Sequence, residues 1–389
     1  MTIQNHSMAH RLRSRAASWK LCLVLLLSGV AACPVSQAGE SIDIGAIYAL
    51  TGVAKASNAT SLLGVRLAVD EINRGGGILN KPLRLLVFDN NSTPIGSAAA
   101  AEQADRANVV AILGSVWSSH SLAAARVAQE RGIPMITNYS TSPAVTAVGD
   151  HIFRTCYTDN LQGKIMAAFA RSDLKAETAA VFVNLNSDFS LGLAEVFRRE
   201  FEQLGGKVVL ELEYKLKRED FGTLVNRVQA AQPDVVLLSG HDESGVIARR
   251  LEEAEVRSIP IGGDNWSEPS FFKSGGATIK RGYYCSHWTE ESRTEKARAF
   301  VQKYSREGDL GAGAALGYDA VLLLADAIRR AGFPERGRIR AALQETGVIE
   351  GVTGHMDFSA GRDPVKAAVI MEILDGSPRY LKTVQPLRQ

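Results

Sequence analysis

A doubly wound α/β fold in two parallel-sheet lobes is what this chain predicts, on two observations. Apolar strand-like runs alternate with helix-period segments from residue 41 onward, and the alternation restarts near residue 160. About 351 residues follow Ala38, more than one hydrophobic core usually supports.

The elements follow in order. Residues 41–48 turn apolar (IDIGAIY) and read as the first strand. Residues 61–74 set Leu62, Val65, Val69 and Ile72 on one helical stripe, which Gly75-Gly76-Gly77 stops. Residues 83–89 form the next strand, and Thr93-Pro94 opens a helix with threonine as cap and proline in the first turn. Residues 109–114 make a third strand, 122–131 a helix ended by Gly132, and 133–137 a short fourth strand. The second series runs strand 178–184, helix 191–204 stopped by Gly205-Gly206, strand 208–214 and helix 221–231. Strand 234–239, helix 245–255 and strand 259–263 continue it. Strand 282–288 precedes three helical segments, 294–307, 317–331 and 336–346, and Phe358 and residues 365–374 return to strand.

The first 38 residues stand apart. Arg11, Arg13, Arg15 and Lys20 flank an apolar run, LCLVLLLSGV, with no acid among them. A basic segment, a short apolar core and then small residues is the signal-peptide pattern; the run is too short to span a bilayer. Two cleavage readings stay open, the first preferred. Val30-Ala31-Ala32-Cys33 resembles a bacterial lipobox, which would lipidate Cys33 and tether the chain, whereas Ser36-Gln37-Ala38 suits ordinary cleavage before Gly39. Removing the leader's four positive charges from the formal +2 leaves −2, so the basic pI gives no argument for nucleic acid. Beyond the leader only Cys156 and Cys285 remain. They are either a pair able to bridge in an oxidising compartment or two buried thiols.

Ligands of open parallel sheets bind beyond the carboxyl ends of the strands. After the third and fourth strands come Ser115-Val116-Trp117-Ser118-Ser119-His120-Ser121 and Asn138-Tyr139-Ser140-Thr141-Ser142-Pro143. Hydroxyls and free N–H groups at a helix start suit a carboxylate, although helix capping alone would also account for serines 118–121. The second half offers acids: Asp159, Asp188 beside Phe189, Asp242 and Glu243 beside His241, and Asp264 beside Asn265 and Trp266. Carboxylates at strand ends can neutralise a buried ammonium, because an unpaired buried charge is costly. For Asp242 and Glu243, capping of the following helix is the simpler reading. No G-x-x-x-x-G-K-[ST], post-strand G-x-G-x-x-G, G-x-S-x-G or H-E-x-x-H motif occurs, so nucleotide, hydrolase and zinc chemistry lack their usual signatures.

Six stretches, in this order and spacing, carry a family resemblance: IGAIYALTG, GVRLAVDEINRGGGILNKPLRLLVFDN, AILGSVWSSHSLAAARVAQERGIPMITNYSTSP, FRTCYTDNLQG, LGYDAVLLLADAI and GVTGHMDFSAGRDP. They resemble the substrate-binding proteins of branched-chain amino-acid ABC transporters, the leucine/isoleucine/valine-binding type with the type I periplasmic binding protein fold. The resemblance covers nearly all of residues 41–375. It implies three hinge crossings near 155–159, 284–288 and 352–357. Residues 39–157 and 286–354 would then form one lobe, 158–285 and 355–389 the other. It also implies a site. Ser118, Ser140 and Thr141 would hold a carboxylate, Tyr139 would add backbone and ring contact, Asp159 and Asp264 would face an α-ammonium, and Phe189 would stack on the ligand. His241 stands where tyrosine is frequent. Trp117 stands where leucine-type proteins place a cysteine, whose disulfide partner corresponds to Ser92 here. That bridge is therefore absent, an indole would intrude on the side-chain pocket, and another amino acid, small carboxylate or amide becomes plausible. The first two crossings would lie side by side, which suggests a hinge disulfide between Cys156 and Cys285.

The expectation is capture without catalysis, with no cofactor and no metal. A periplasmic or otherwise extracytoplasmic monomer would close on a small amino acid or related carboxylate and deliver it to ABC permease subunits, with no nucleic acid involved. The alternatives are an exported ligand-sensing receptor module of the same fold and, less favoured, an envelope hydrolase.

Overall fold

Strand β1 (Ile42–Tyr48) is buried along almost its whole length, as a parallel strand covered on both faces must be. The computed structural model describes residues 41–216, 221–308 and 310–386; the expected leader, with Cys33, lies outside the described residues.

Helix α1 (Lys55–Arg74) leads to β2 (Leu83–Asp89), α2 (Pro94–Arg106), β3 (Ile112–Gly114), α3 (Ser118–Glu130), β4 (Met135–Thr137) and β5 (Ile152–Arg154). The five strands form a parallel sheet in the order β2-β1-β3-β4-β5. Thr93 caps α2 as the sequence predicts, accepting from the Gly96 N–H. Helix α1 starts before residue 61 because its polar first turn is buried and bonded. Asn58 Nδ2 donates to Ala54 O at 2.9 Å, and its Oδ1 accepts from Ala49 N at 3.1 Å. Helix α3 likewise starts at Ser118, before residue 122. The preceding Trp117 supplies no side-chain cap, so serine capping does not explain that loop.

The second series begins with α4 (Asp159–Ser172), a helix the sequence reading left out. It continues through β6 (Thr178–Asn184), α5 (Asp188–Gln203), β7 (Lys207–Tyr214), α6 (Phe221–Ala231), β8 (Val235–Leu238), α7 (Glu243–Glu253) and β9 (Ile259–Gly262). The short α8 (Pro269–Ser274) and β10 (Arg281–Ser286) follow. Then come α9 (Glu295–Tyr304), α10 (Ala312–Ala331), α11 (Arg336–Gln344), a hairpin of β11 (Val348–Gly351) and β12 (Gly354–Asp357), β13 (Ala368–Leu374) and β14 (Ser377–Val384). The second sheet has the order β14-β13-β10-β9-β8-β6-β7. It is parallel from β7 to β10, but β13 and β14 join antiparallel. The sequence hides β14 because this edge strand is largely exposed and lacks an apolar alternation.

The sheets have separate cores, and neighbouring residues divide between them. Cys156 packs in the first core and Tyr157 in the second; Cys285 belongs to the second and Trp288 to the first. The chain passes back a third time between Phe358 in the first core and Ala368 in the second. Side chains alternate along extended backbone, so residues 156 and 157 face opposite ways. This corrects the expected hinge disulfide. Both cysteines are free and buried: Cys156 Sγ donates to Ser140 O at 3.2 Å, whereas Cys285 Sγ accepts from Tyr157 Oη at 3.2 Å.

Helices α1 and α10 are held together by glycines. A Cβ on Gly64 would overlap the Ala314 carbonyl, and one on Gly317 would overlap that of Ser61. The close approach brings Thr60 and the Gly313 N–H to one point, which the site below uses. Because backbone cannot yield as a side chain can, Gly317→Ala is expected to destabilise the fold by about 1–3 kcal/mol or more. Gly337→Ala in α11, where a Cβ meets nothing within 4 Å, is expected to be neutral or stabilising. Thermal unfolding of the two variants checks this; equal melting temperatures would contradict the packing described.

Candidate functional site

A cavity whose empty space, open solvent included, is about 350 Å³ lies between loops at the carboxyl ends of the two sheets. Trp117, Ser118, Tyr139, Thr141, Phe189, His241 and Asp264 line it, together with Ser57, Val116, Asp242, Asn265 and Glu268. Seven of the nine predicted ligand-contacting residues are thus brought together, and no lysine or arginine is in the lining.

The first-sheet wall is a wall of donors. Trp117 has no acceptor with which to cap α3, so the first amides of that helix are not met by a capping side chain. Ser118 Oγ accepts from Ser142 N at 3.2 Å, which leaves its hydroxyl hydrogen to donate. Thr141 Oγ1 is buried without a well-formed hydrogen bond, although it lies near enough to the Asp159 carboxyl to favour its ionised form. Ser140 departs from expectation. Its hydroxyl is spent on Val116 O at 2.9 Å and Ser121 Oγ at 2.6 Å, so it braces the two loops and leaves the cavity to its neighbours. The loop is also shaped from behind by Arg154, which the sequence reading passed over. This buried guanidinium donates to Ser140 O at 2.6 Å, Ser142 O at 2.9 Å and Asp363 Oδ1 at 2.6 Å.

The second-sheet wall is acidic. Asp264 Oδ2 meets His287 Nε2 at 2.8 Å, while Oδ1 is buried with no partner. Asp159, the first residue of α4, stands behind the lining; its Oδ1 accepts from Gln162 Nε2 at 2.7 Å and its Oδ2 has no partner. Gln162 links the two acids, because its Oε1 accepts from Asp264 N at 3.1 Å. Burial pushes both carboxyls up to about 7, and the charge of Asp264 adds to the effect on Asp159. Burial drives His287 well below its ordinary range. The neutral ring can therefore donate from Nε2 to the Asp264 carboxylate. Neither Gln162, in the first turn of α4, nor His287, just after β10, carried a sequence signal.

Aromatic rings close one end of the cavity. Trp117 stacks on His241 with centroids 4.1 Å apart and planes at 6°, and the Phe189 ring centroid lies 5.2 Å from that of His241 with planes at 25°. The walls also touch elsewhere. Tyr139 Oη donates to Asp264 O at 2.9 Å, and Glu268 accepts from Thr60 Oγ1 and from Gly313 N at 3.0 Å. Burial pushes Glu268 up to about 7. Asp242 does not cap α7 with its side chain; it accepts from Ser270 Oγ at 2.8 Å. Glu243 accepts from Asn184 Nδ2 at 2.7 Å and Tyr214 Oη at 3.0 Å.

Comparison with known proteins gives a consistent picture. A family model described as periplasmic binding protein matches residues 41–377. A Leu/Ile/Val-binding protein homolog from Brucella melitensis is 28% identical over 335 residues, 84% of this chain and 90% of its own length. The crystal structure of a leucine-binding protein LivK from Thermotoga maritima superposes with a TM-score of 0.84 at 29% identity, covering 89% of this chain and 99% of that one. The branched-chain amino-acid transporter substrate-binding protein LivJ from Streptococcus pneumoniae, solved with isoleucine, gives 0.83 at 28% identity, covering 89% of this chain and all of that one.

The unpaired charge makes a pH-dependent prediction. The Asp264 carboxyl sits at about 7 in the folded chain against an ordinary 3.8, so its ionised form burdens the fold above pH 7 and the burden lifts as pH falls toward 4. Asp264→Asn, neutral in both states, is expected to raise the melting temperature of the free protein most at pH 8. The advantage should shrink as pH drops through 7. A stabilisation that does not vary with pH would count against the buried charge.

Proposed function

The chain belongs to the periplasmic binding protein family, and on that premise we propose that it is an extracytoplasmic solute-binding protein. It captures a small amino acid, or a related carboxylate, and delivers it to an ABC permease. One observation carries the reading: a donor wall faces an acidic wall across a small cavity, and the acidic wall has no cation of its own. An α-amino acid supplies both missing partners. Its carboxylate takes the Ser118 hydroxyl, the first amides of α3 and Thr141 Oγ1. Its ammonium takes Asp264 Oδ1, with Asp159 adding negative charge from behind. Charge-assisted hydrogen bonds of this kind are about twice as strong as neutral ones. The relatives' names, and the isoleucine in one solved structure, support an amino acid as the class of ligand.

The mechanism is capture by closure. The lobes turn about the three crossings between the cores, a hinge motion common in ligand binding. The contacts of Tyr139 with Asp264 and of Glu268 with Thr60 and Gly313 then form across the closed cleft. As the ammonium arrives, it favours the ionised carboxylates that burial had disfavoured. Capture therefore strengthens as pH rises through 7.

Titration calorimetry with the proteinogenic amino acids tests this reading. Asp264→Asn is expected to cost about 2–5 kcal/mol of binding, since it removes one partner of a buried charge pair. Undiminished affinity in that variant, or equal affinity for a carboxylate lacking the ammonium, would sink the assignment. Tethering through a lipidated Cys33 is a separate proposal. Cys33→Ser is expected to move the protein from the membrane fraction to the soluble one. A wild-type chain that is already soluble and begins at Gly39 would decide for cleavage after Ala38.

A further inference from the structure

We propose that the ligand is an amino acid with a short side chain, no longer than that of threonine, and that Trp117 and His241 together exclude leucine-sized side chains. The inference rests on the amino-acid reading above and narrows it. With the two head groups assigned to Ser118 and Thr141 on one wall and Asp264 on the other, the side chain is left with the space beside the aromatic rings. The Trp117 and His241 rings, 4.1 Å apart and nearly parallel, are already in van der Waals contact, so nothing passes between them.

Both rings are held from behind. His120 lies 5.2 Å from Trp117, and the indole is partly buried against the first core. His241 Nε2 is bonded to Ser187 Oγ at 3.0 Å, and Phe189 covers the ring 5.2 Å away. A leucine side chain would have to part the stack and tear its members from these supports.

Asn265 adds a polar preference. Its Nδ2 is directed at the carbonyls of Gly240 and His241, which fixes the amide orientation, and its Oδ1 is buried without a partner. A hydroxyl on a short side chain can donate to that oxygen. A branched aliphatic group can only bury it, at the cost of an unmade hydrogen bond.

The test is calorimetry of the full chain with L-serine, L-threonine, L-alanine and L-leucine. The tightest of the three short ligands is expected to bind at least about tenfold more strongly than leucine, the discrimination that small differences in apolar bulk commonly give. Trp117→Ala should open the compartment and raise leucine affinity at least about tenfold, with a smaller change for serine. His241→Ala should do the same from the opposite wall. Leucine binding as tightly as the short ligands to the wild type, or unchanged in both folded variants, overturns the size limit. Should one variant fail to fold, the other and the wild-type ratio decide. Leucine preference together with loss of binding in Asp264→Asn would overturn this inference and leave the amino-acid reading intact. Failure of all four ligands to bind would overturn both.

Discussion

Negative charge buried without a counter-charge governs this molecule. Asp264 and Asp159 are carboxylates placed where water cannot solvate them, and neither has a cation within hydrogen-bond reach. Such an arrangement is costly in an unliganded protein, and it persists only because the surroundings hold it. Gln162 ties one acid to the backbone of the other, and His287 fixes one oxygen of Asp264 so that its second oxygen is the one left over. The rest of the site can be understood as what a dipolar ligand needs once that charge is in place: donors opposite and rings at the side.

The scaffold serves this arrangement from a distance. Glycines let α1 and α10 approach closely, and the approach presents Thr60 and the Gly313 amide to Glu268 from the opposite wall. Arg154 spans between the donor loop and Asp363, so the shape of that loop depends on chain more than two hundred residues away. Three passages between separate cores allow such cross-links without fusing the two hydrophobic interiors.

Much of this was legible in the sequence. Strand–helix alternation gave the two sheets, and strands such as Leu83–Asp89 and Thr178–Asn184 begin and end where the apolar runs do. Loops after strands announced Ser118, Thr141, Phe189, His241 and Asp264, because parallel topology puts those loops at one edge. What stayed hidden has physical reasons. The start of α1 looked like a loop because its polar residues are buried by hydrogen bonding, which residue type does not reveal. The hairpin β11–β12 and the edge strand β14 are too exposed to need an apolar pattern. Ser140 and Asp159 carry the right chemistry, but side-chain direction decided their parts. Ser140 turns inward to brace, and Asp159 lies one layer back. The cysteines failed for the same reason, since proximity of two segments says nothing about which core each thiol enters.

That last feature reaches beyond geometry. Cys156 and Cys285 are sealed inside, and burial lifts each thiol to about 12, so almost no thiolate exists at neutral pH to attack or be attacked. Among the described residues, therefore, folding calls for no oxidase, and neither thiol is poised to meet an electrophile. Redox conditions have no bridge to make or break among the described residues.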